Sequence, residues 1–217
     1  MFPSMGGCPD DAGTPRWANP LIDHLDPIET AWETPREGER PSAVLVPLSL
    51  AEDPDLVLTV RAASLDHHPG QISLPGGGRE PGDLSPTDTA LREAHEEIDL
   101  PPSSVRPVGQ LHTRDVIVSR NRVVPVVGLW SGADPIAACD KEEVDTVLRW
   151  SVSDLADPAN RVTARHPRGS FGPAWQMDGL FLWGFTAAVV DALLKVGGWE
   201  LPWDVDRILD VPPRFRS

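Results

Sequence analysis

The run Arg92 to Glu97 places Glu93, Glu96 and Glu97 at the spacings of a helix surface. Like charges three and four residues apart on a helix repel, by roughly 0.3 kcal/mol per pair. A wet acidic face tolerates such a cluster, and so does a helix that holds a cation. Just upstream stand Gly76, Gly77 and Gly78, entered through Pro75. Glycines allow backbone to approach a ligand closely and to take dihedrals closed to other residues. A short loop carrying Glu80 and Asp83 then returns beside the glutamates. The donors on offer are hard oxygens, both carboxylate and carbonyl, with no histidine or cysteine pattern beside them. That chemistry suits Mg²⁺ or Mn²⁺ and not zinc. Magnesium held by a few carboxylates, with several waters retained, is the usual arrangement for chemistry on substrate phosphates.

These residues need a helix and a loop to hold them. Ser85 is a suitable N-cap, Pro86 fits the first helical position, and Asp88 completes a capping box, so a helix is predicted over 85–98. Leu91, Ala94 and Ile98 share the stripe expected to face the core, and the glutamates fall on another. Arg92 stands four residues from both Asp88 and Glu96 and can pair with either. Residues 43–50 and 56–61 read as strands divided by the turn former "AEDPD", and "GQISLPGGG" as a short strand running into a glycine loop. Further strands are expected at 105–112, at the strongly β-branched 122–130 and in "EEVDTVLRWSV", then a short helix and loop in "SDLADPANR". "LFLWGFTAAVVDALLKVGG" is apolar all round and reads as a buried helix ending near Gly197. Strands, helix, strands and helix in that order imply an α/β fold, a mixed sheet with helices on both faces.

The chain of 217 residues has material for one substantial domain with tails. Residues 1–40 read as an extension with one short helix around Leu21 to Leu25, residues 41–200 as the domain, and 201–217 as a C-terminal tail. A net charge of −14 argues against broad binding to nucleic acid or to an anionic membrane. A small anionic substrate stays compatible, because bound cations and local arginines invert the field inside a cleft. Cys8 and Cys139 are too few for a disulfide framework and lack metal-site spacing. The first residues have neither a basic start nor an apolar core, and "LFLWGFTAAVV" is too short to span a bilayer, so a cytoplasmic protein is expected. Most of the eight tryptophans sit late in the chain and are expected in the core. Trp175, near a predicted loop, is placed to meet a ligand or a partner subunit, and a homodimer is compatible with the sequence.

"GGGREPGDLSPTDTALREAHEEIDL" resembles the Nudix box, the signature of hydrolases that cleave a nucleoside diphosphate linked to another group. The family pattern ends in Arg-Glu-apolar-any-Glu-Glu-any-Gly-apolar, matched here by Arg92, Glu93, Ala94, His95, Glu96, Glu97, Ile98 and Leu100. Two positions depart from it. Leu84 stands where an earlier Glu belongs, a place Asp83 takes if the loop is one residue longer, and the final Gly is Asp99, a residue that tolerates the left-handed conformation. The resemblance implies an α/β/α sandwich and a divalent-metal hydrolase. It implies Glu93 and Glu97 as metal ligands with Glu96 completing the set, the Gly77 carbonyl as a further ligand, and Arg92 orienting Glu93. Among the catalytic residues so implied, Glu93, Glu96 and Arg92, a carboxylate takes the proton from water. Glu93 is one candidate for that step and Glu143, from a later loop, is another.

Upstream, "VLTVRAASLDHHPGQISLPGG" resembles the coenzyme A pyrophosphatase branch of that family through Leu58, Thr59, Arg61, Gly70, Gln71, Pro75, Gly76 and Gly77. "VVPVVGLW" and "FLWGFTAAVVDAL" extend the likeness. It implies Arg61, Gln71, Gly76 and His68 as substrate-binding residues. Three positions differ from the branch: Ala62 for Ser, Leu74 for Phe and Asp66 for a second Arg. The last reverses the charge where a 3′-phosphate would want an arginine fork. The expected substrate is coenzyme A or a thioester of it. ADP-ribose, a dinucleotide or a sugar nucleotide is the alternative within the enzyme class, and a non-catalytic binding domain is the alternative outside it.

Overall fold

The structure, a computed structural model, describes residues 14–65, 68–116, 121–167 and 169–215. Cys8, Asp66 and His67 lie outside the described residues. The centre of the fold is a parallel pair, β1 (Arg40–Ser49) and β7 (Asn121–Trp130), in register from Arg40↔Asn121 to Ser49↔Trp130. Side chains alternate across this pair. Ala43, Leu45, Val124, Val126 and Trp130 enter one core, while Val46, Leu48, Val127 and Leu129 enter the other. Burial on both faces is why these stretches read as near-continuous apolar runs.

β2 (Asp55–Arg61) pairs antiparallel with β1 at Leu48↔Leu56. Farther along, β1 takes β4 (Gly76–Gly78) as its neighbour, and β2 takes β3 (Ile72–Ser73) and β8 (Val144–Ser151). The chain crosses between them at Pro75, whose carbonyl accepts from the Leu45 N–H at 2.8 Å. β5 (Val105–Gln110) and β6 (Arg114–Val116) pair antiparallel with β7, which completes an eight-stranded mixed sheet. The glycine run, expected as a loop, is thus a short strand. A Cβ at Gly76 would stand 2.5 Å from the Ala43 carbonyl oxygen and from Val44 Cα, so only glycine pairs here.

α2 (Pro86–Ile98) covers one face. The expected capping box forms: Ser85 Oγ accepts from the Asp88 N–H at 3.2 Å, and Asp88 Oδ2 accepts from the Ser85 N–H at 2.9 Å. Asp99 closes the helix at φ 55°, the left-handed role expected of it. The core stripe is Ala90, Ala94 and Ile98; Leu91 is only partly buried, because the two alanines let the helix settle close to β1 and push Leu91 to the flank. The opposite face is covered by α1 (Ala18–His24) and α4 (Gly184–Val196), with α3 (Val152–Ala156) beside them. This is the expected α/β architecture with helices on both faces of a mixed sheet.

A second sheet runs β11 (Leu180–Leu182), β10 (Phe171–Met177), β9 (Arg161–Arg165) and β12 (Ile208–Asp210). The buried helix therefore begins at Gly184 and not at Leu180. Asp178 and Gly179, both with positive φ, turn β10 back into β11. That is the two-residue hairpin chemistry of Asp-Gly. Trp175, expected near a loop, is fully buried in β10 and donates its Nε1–H to the Leu155 carbonyl at 2.7 Å. None of the helices of the described residues is long and apolar enough to cross a membrane.

Candidate functional site

The C-terminal half of α2 lies over β4, and the missing side chains of the glycines make room for carboxylates. A Cβ at Gly77 would fall 2.5 Å from Glu93 Oε1. The Gly76 N–H donates to Glu97 Oε2 at 3.2 Å. Glu97 is only 5% exposed, on the core side of the helix. It is expected on the outer stripe with Glu93 and Glu96, but position 97 lies seven residues, nearly two whole turns, from Ala90 and three from Ala94, and shares their face. Burial pushes the Glu97 carboxyl up to about 8; the charges of Glu93 and Glu143 add to this, while the Gly76 N–H and the Arg61 charge oppose it. The Glu93 carboxyl is also raised, again first by burial, with Glu96 and Glu143 adding and Arg92 opposing. Two carboxylates held side by side with their charges uncompensated are costly.

Arg92 ties this pair to the returning loop. Its Nη2 donates to Glu93 Oε1 at 3.0 Å, to Asp83 Oδ2 at 3.0 Å and to the Gly78 carbonyl at 2.9 Å, and its Nε to Asp83 Oδ1 at 3.2 Å. Its Nη1 donates to Glu96 Oε2 at 2.9 Å. Asp83 is buried, and its Oδ2 also accepts from the Glu80 N–H and the Thr89 hydroxyl. Burial alone would raise the Asp83 carboxyl, but the bonds from Arg92, Glu80 and Thr89 outweigh it and hold it at about 2. Leu84, by contrast, is 74% exposed. The longer-loop reading thus puts the acid at 83, not 84, in contact with the helix.

The structure brings Glu93, Glu97, Gly76, Gly77 and Arg92 together. It leaves Glu96 turned outward, its side chain 55% exposed against Arg92. Among the described residues no three His, Cys, Asp or Glu side chains converge as a metal-holding group. The Glu93–Glu97 pair still fits a divalent ion. Its donors are oxygens, the glycine strand stands against them, and Mg²⁺ usually takes only one or two carboxylates, filling its shell with water and substrate oxygen.

Arg61, at the end of β2, is close enough for its charge to act on Glu97, and its Nε is buried without a hydrogen-bond partner in the structure. Glu143 stands next to it in the fold: its carbonyl accepts from the Ala62 N–H at 2.8 Å, and its carboxylate acts on both Glu93 and Glu97. The "KEEV" turn offered little local pattern by which to single out Glu143. The signal lay in its position one residue before a strand, β8, that pairs with Arg61. Gln71 turns its side-chain amide toward the chain's far end, donating to the Phe215 carbonyl at 2.9 Å. His68 is exposed at φ 58° and contributes its carbonyl to the Gln71 N–H.

A sequence model of the NUDIX domain matches residues 39–168. Over 168 residues the chain is 37% identical to the uncharacterized Nudix hydrolase NudL of Enterobacter sp. (strain 638), covering 74% of this chain and 84% of that one. NudL of Escherichia coli (strain K12) is 34% identical over the same length and coverage. Among solved structures, the Nudix hydrolase RenU of M. smegmatis overlays with a TM-score of 0.48 at 18% identity, covering 80% of this chain and 95% of that one.

Proposed function

The chain belongs to the Nudix family and is a pyrophosphohydrolase of nucleoside diphosphate-linked substrates; on that premise we propose that it cleaves coenzyme A or its thioesters with Mg²⁺ or Mn²⁺. Water adds to one phosphorus of the diphosphate and the bridging P–O bond breaks, giving 4′-phosphopantetheine (or its acyl form) and adenosine 3′,5′-bisphosphate. The observation that carries the metal part is the buried Glu97 carboxylate, set against the Gly76 N–H with a second carboxylate, Glu93, beside it.

Glu93 and Glu97 would hold the metal, and the Gly77 carbonyl is the backbone donor assigned to it. The ion, when bound, supplies positive charge against the diphosphate and lowers the pKa of a water. Arg92 fixes Glu93 through a fork shared with Asp83, so that the carboxylate does not swing away from the glycine strand. Glu96 is within reach of the same arginine and joins the ligand set only by leaving it. Arg61 presents its guanidinium to the diphosphate, and its unpartnered Nε supports that role. Either Glu93 or Glu143 would take the proton from water, and the charge of Glu143 acts on Glu93.

Incubating the purified protein with coenzyme A and Mn²⁺ tests the substrate. Release of adenosine 3′,5′-bisphosphate is expected. Turnover of ADP-ribose or a dinucleotide with none of coenzyme A would move the assignment to the reading that Asp66 favours, since a carboxylate there disfavours a 3′-phosphate.

A further inference from the structure

Residues 211–215 follow β12, the edge strand of the second sheet, and reach back to the main one. Val211 and Phe215 are buried with Val162, Ala164, Ala174 and Phe181, and the Val211 N–H donates to the Arg165 carbonyl at 3.3 Å. Arg214 crosses to the β10–β11 turn, its Nη2 donating to the Gly179 carbonyl at 2.6 Å. Facing the other way, the Phe215 carbonyl takes the Gln71 side-chain amide at 2.9 Å. The Phe215 ring lies against Gly70, where a Cβ would meet its Cε1 at 3.9 Å. Gly70 and Gln71 in turn grip the residue at the end of β2: the Gly70 N–H donates to the Arg61 carbonyl at 3.0 Å, and the Arg61 N–H donates to the Gln71 carbonyl at 2.9 Å.

We propose that residues 211–215 form a strap which positions Arg61 for the diphosphate, with Phe215 and Gln71 as positioning residues. Arg61 sits where β2 leaves the sheet, beside a register irregularity against β8 between Val60 and Arg61. A strand end opens locally at low cost unless something holds it. The strap holds it with a buried aromatic plug and a hydrogen bond, both anchored in a separate sheet. Gln71 therefore serves the substrate through Arg61 and not by touching it. The inference rests on Arg61 facing substrate, as read above.

The test compares the full chain with a variant lacking residues 213–217 and with Phe215→Leu, which keeps an apolar plug and the backbone carbonyl. Kinetics with the diphosphate that the full chain turns over are read beside amide exchange at Arg61 and Gly70. The deletion is expected to raise KM roughly tenfold while kcat stays within about twofold, the signature of a lost binding contact. Exchange at Arg61 and Gly70 should quicken while α2 is unchanged, and Phe215→Leu should restore both. An unchanged KM with unchanged exchange, or a fall in kcat alone, overturns the proposal. If the deletion does not fold, Arg214→Ala cuts only the tether to Gly179. A KM rise of roughly threefold then supports the strap, and no change in KM or exchange overturns it. A full chain that turns over no diphosphate would defeat the functional reading instead, while exchange still decides whether the strap holds Arg61.

Discussion

Against each of the two helices that cover opposite faces of the main sheet lies a polar cluster centred on an arginine, Arg92 of α2 itself and Arg161 of β9 paired to α4, and the clusters are built on opposite principles. On the α4 side, Arg161 is fully buried, paired with Asp191 and, at 3.2 Å, with Glu200, while Lys195 adds a second cation to Asp191 at 2.8 Å. The rings of Trp175 and Trp203 lie 4.9 and 4.5 Å from its guanidinium carbon. Charges there balance, and aromatic faces exclude water. On the α2 side, Arg92 serves Asp83, Glu93 and Glu96, with Glu97 close by. The cluster is left acidic, and its arginine is one-fifth exposed. The fold neutralises a buried cluster on one face and leaves the other in negative deficit, the arrangement that the proposed cation site requires.

The largest effect should come from breaking the balanced cluster. Arg161→Ala removes the buried cation that Asp191 and Glu200 share, leaving Asp191 only the exposed Lys195, and should cost about 3–5 kcal/mol of stability in denaturant unfolding. Turnover per folded molecule should stay as it was, since Arg161 touches nothing at the α2 site. The reverse pattern is expected of Glu97→Gln. Hydrolysis should fall by at least about two orders of magnitude, as the loss of a metal ligand implies, while the metal-free protein loses no stability near pH 7, because a neutral amide replaces a carboxyl that burial already keeps largely protonated there.

Acidity separates the α2 residues further. The Glu97 carboxyl is raised in the fold to about 8 from 4.5, so it favours the folded state fully below pH 4.5, and that contribution is lost as pH rises through 8. Asp83 is lowered to about 2 from 3.8, so its contribution is present above 3.8 and lost as pH falls through 2. Metal-free unfolding midpoints should therefore decline between pH 5 and 9 on the Glu97 account, and Glu97→Gln should flatten that limb; an unaltered slope in the variant would contradict it.

Smaller effects sharpen the comparison. Arg92→Lys keeps the charge but loses the fork between Asp83, Glu93 and Gly78, and should lower kcat roughly tenfold with KM little changed. Ser85→Ala removes the cap that starts α2 and should cost about 1 kcal/mol in a thermal melt.

The α2 cluster was legible in the sequence and the α4 cluster was not. Cap, glycines and glutamates of α2 lie within one local stretch, where spacing translates directly into neighbourhood. Counting Leu91 in the core stripe turns the expected buried face away from Glu97; with Ala90 there instead, the helical phase of Ala90 and Ala94 puts Glu97 inside. Arg161, Asp191, Glu200 and Trp203 are far apart in sequence, and only the second sheet brings them together. That sheet has little local signature, because its strands are short and β10 carries Gly172 and Pro173, residues that read as turn formers. The one local clue was Asp178-Gly179, which turned a helix start into a hairpin. The docking of Phe215 on Gly70 has no local signature at all.

The central claim is that the Glu93–Glu97 pair is a cation site. Titration of Mn²⁺ into the metal-free protein, followed by the electron paramagnetic resonance of the free ion, tests it without any substrate. Tight binding that weakens at least about tenfold in both Glu93→Gln and Glu97→Gln is expected, with Arg161→Ala binding like the parent. Equal affinity in parent and both glutamine variants would contradict the account.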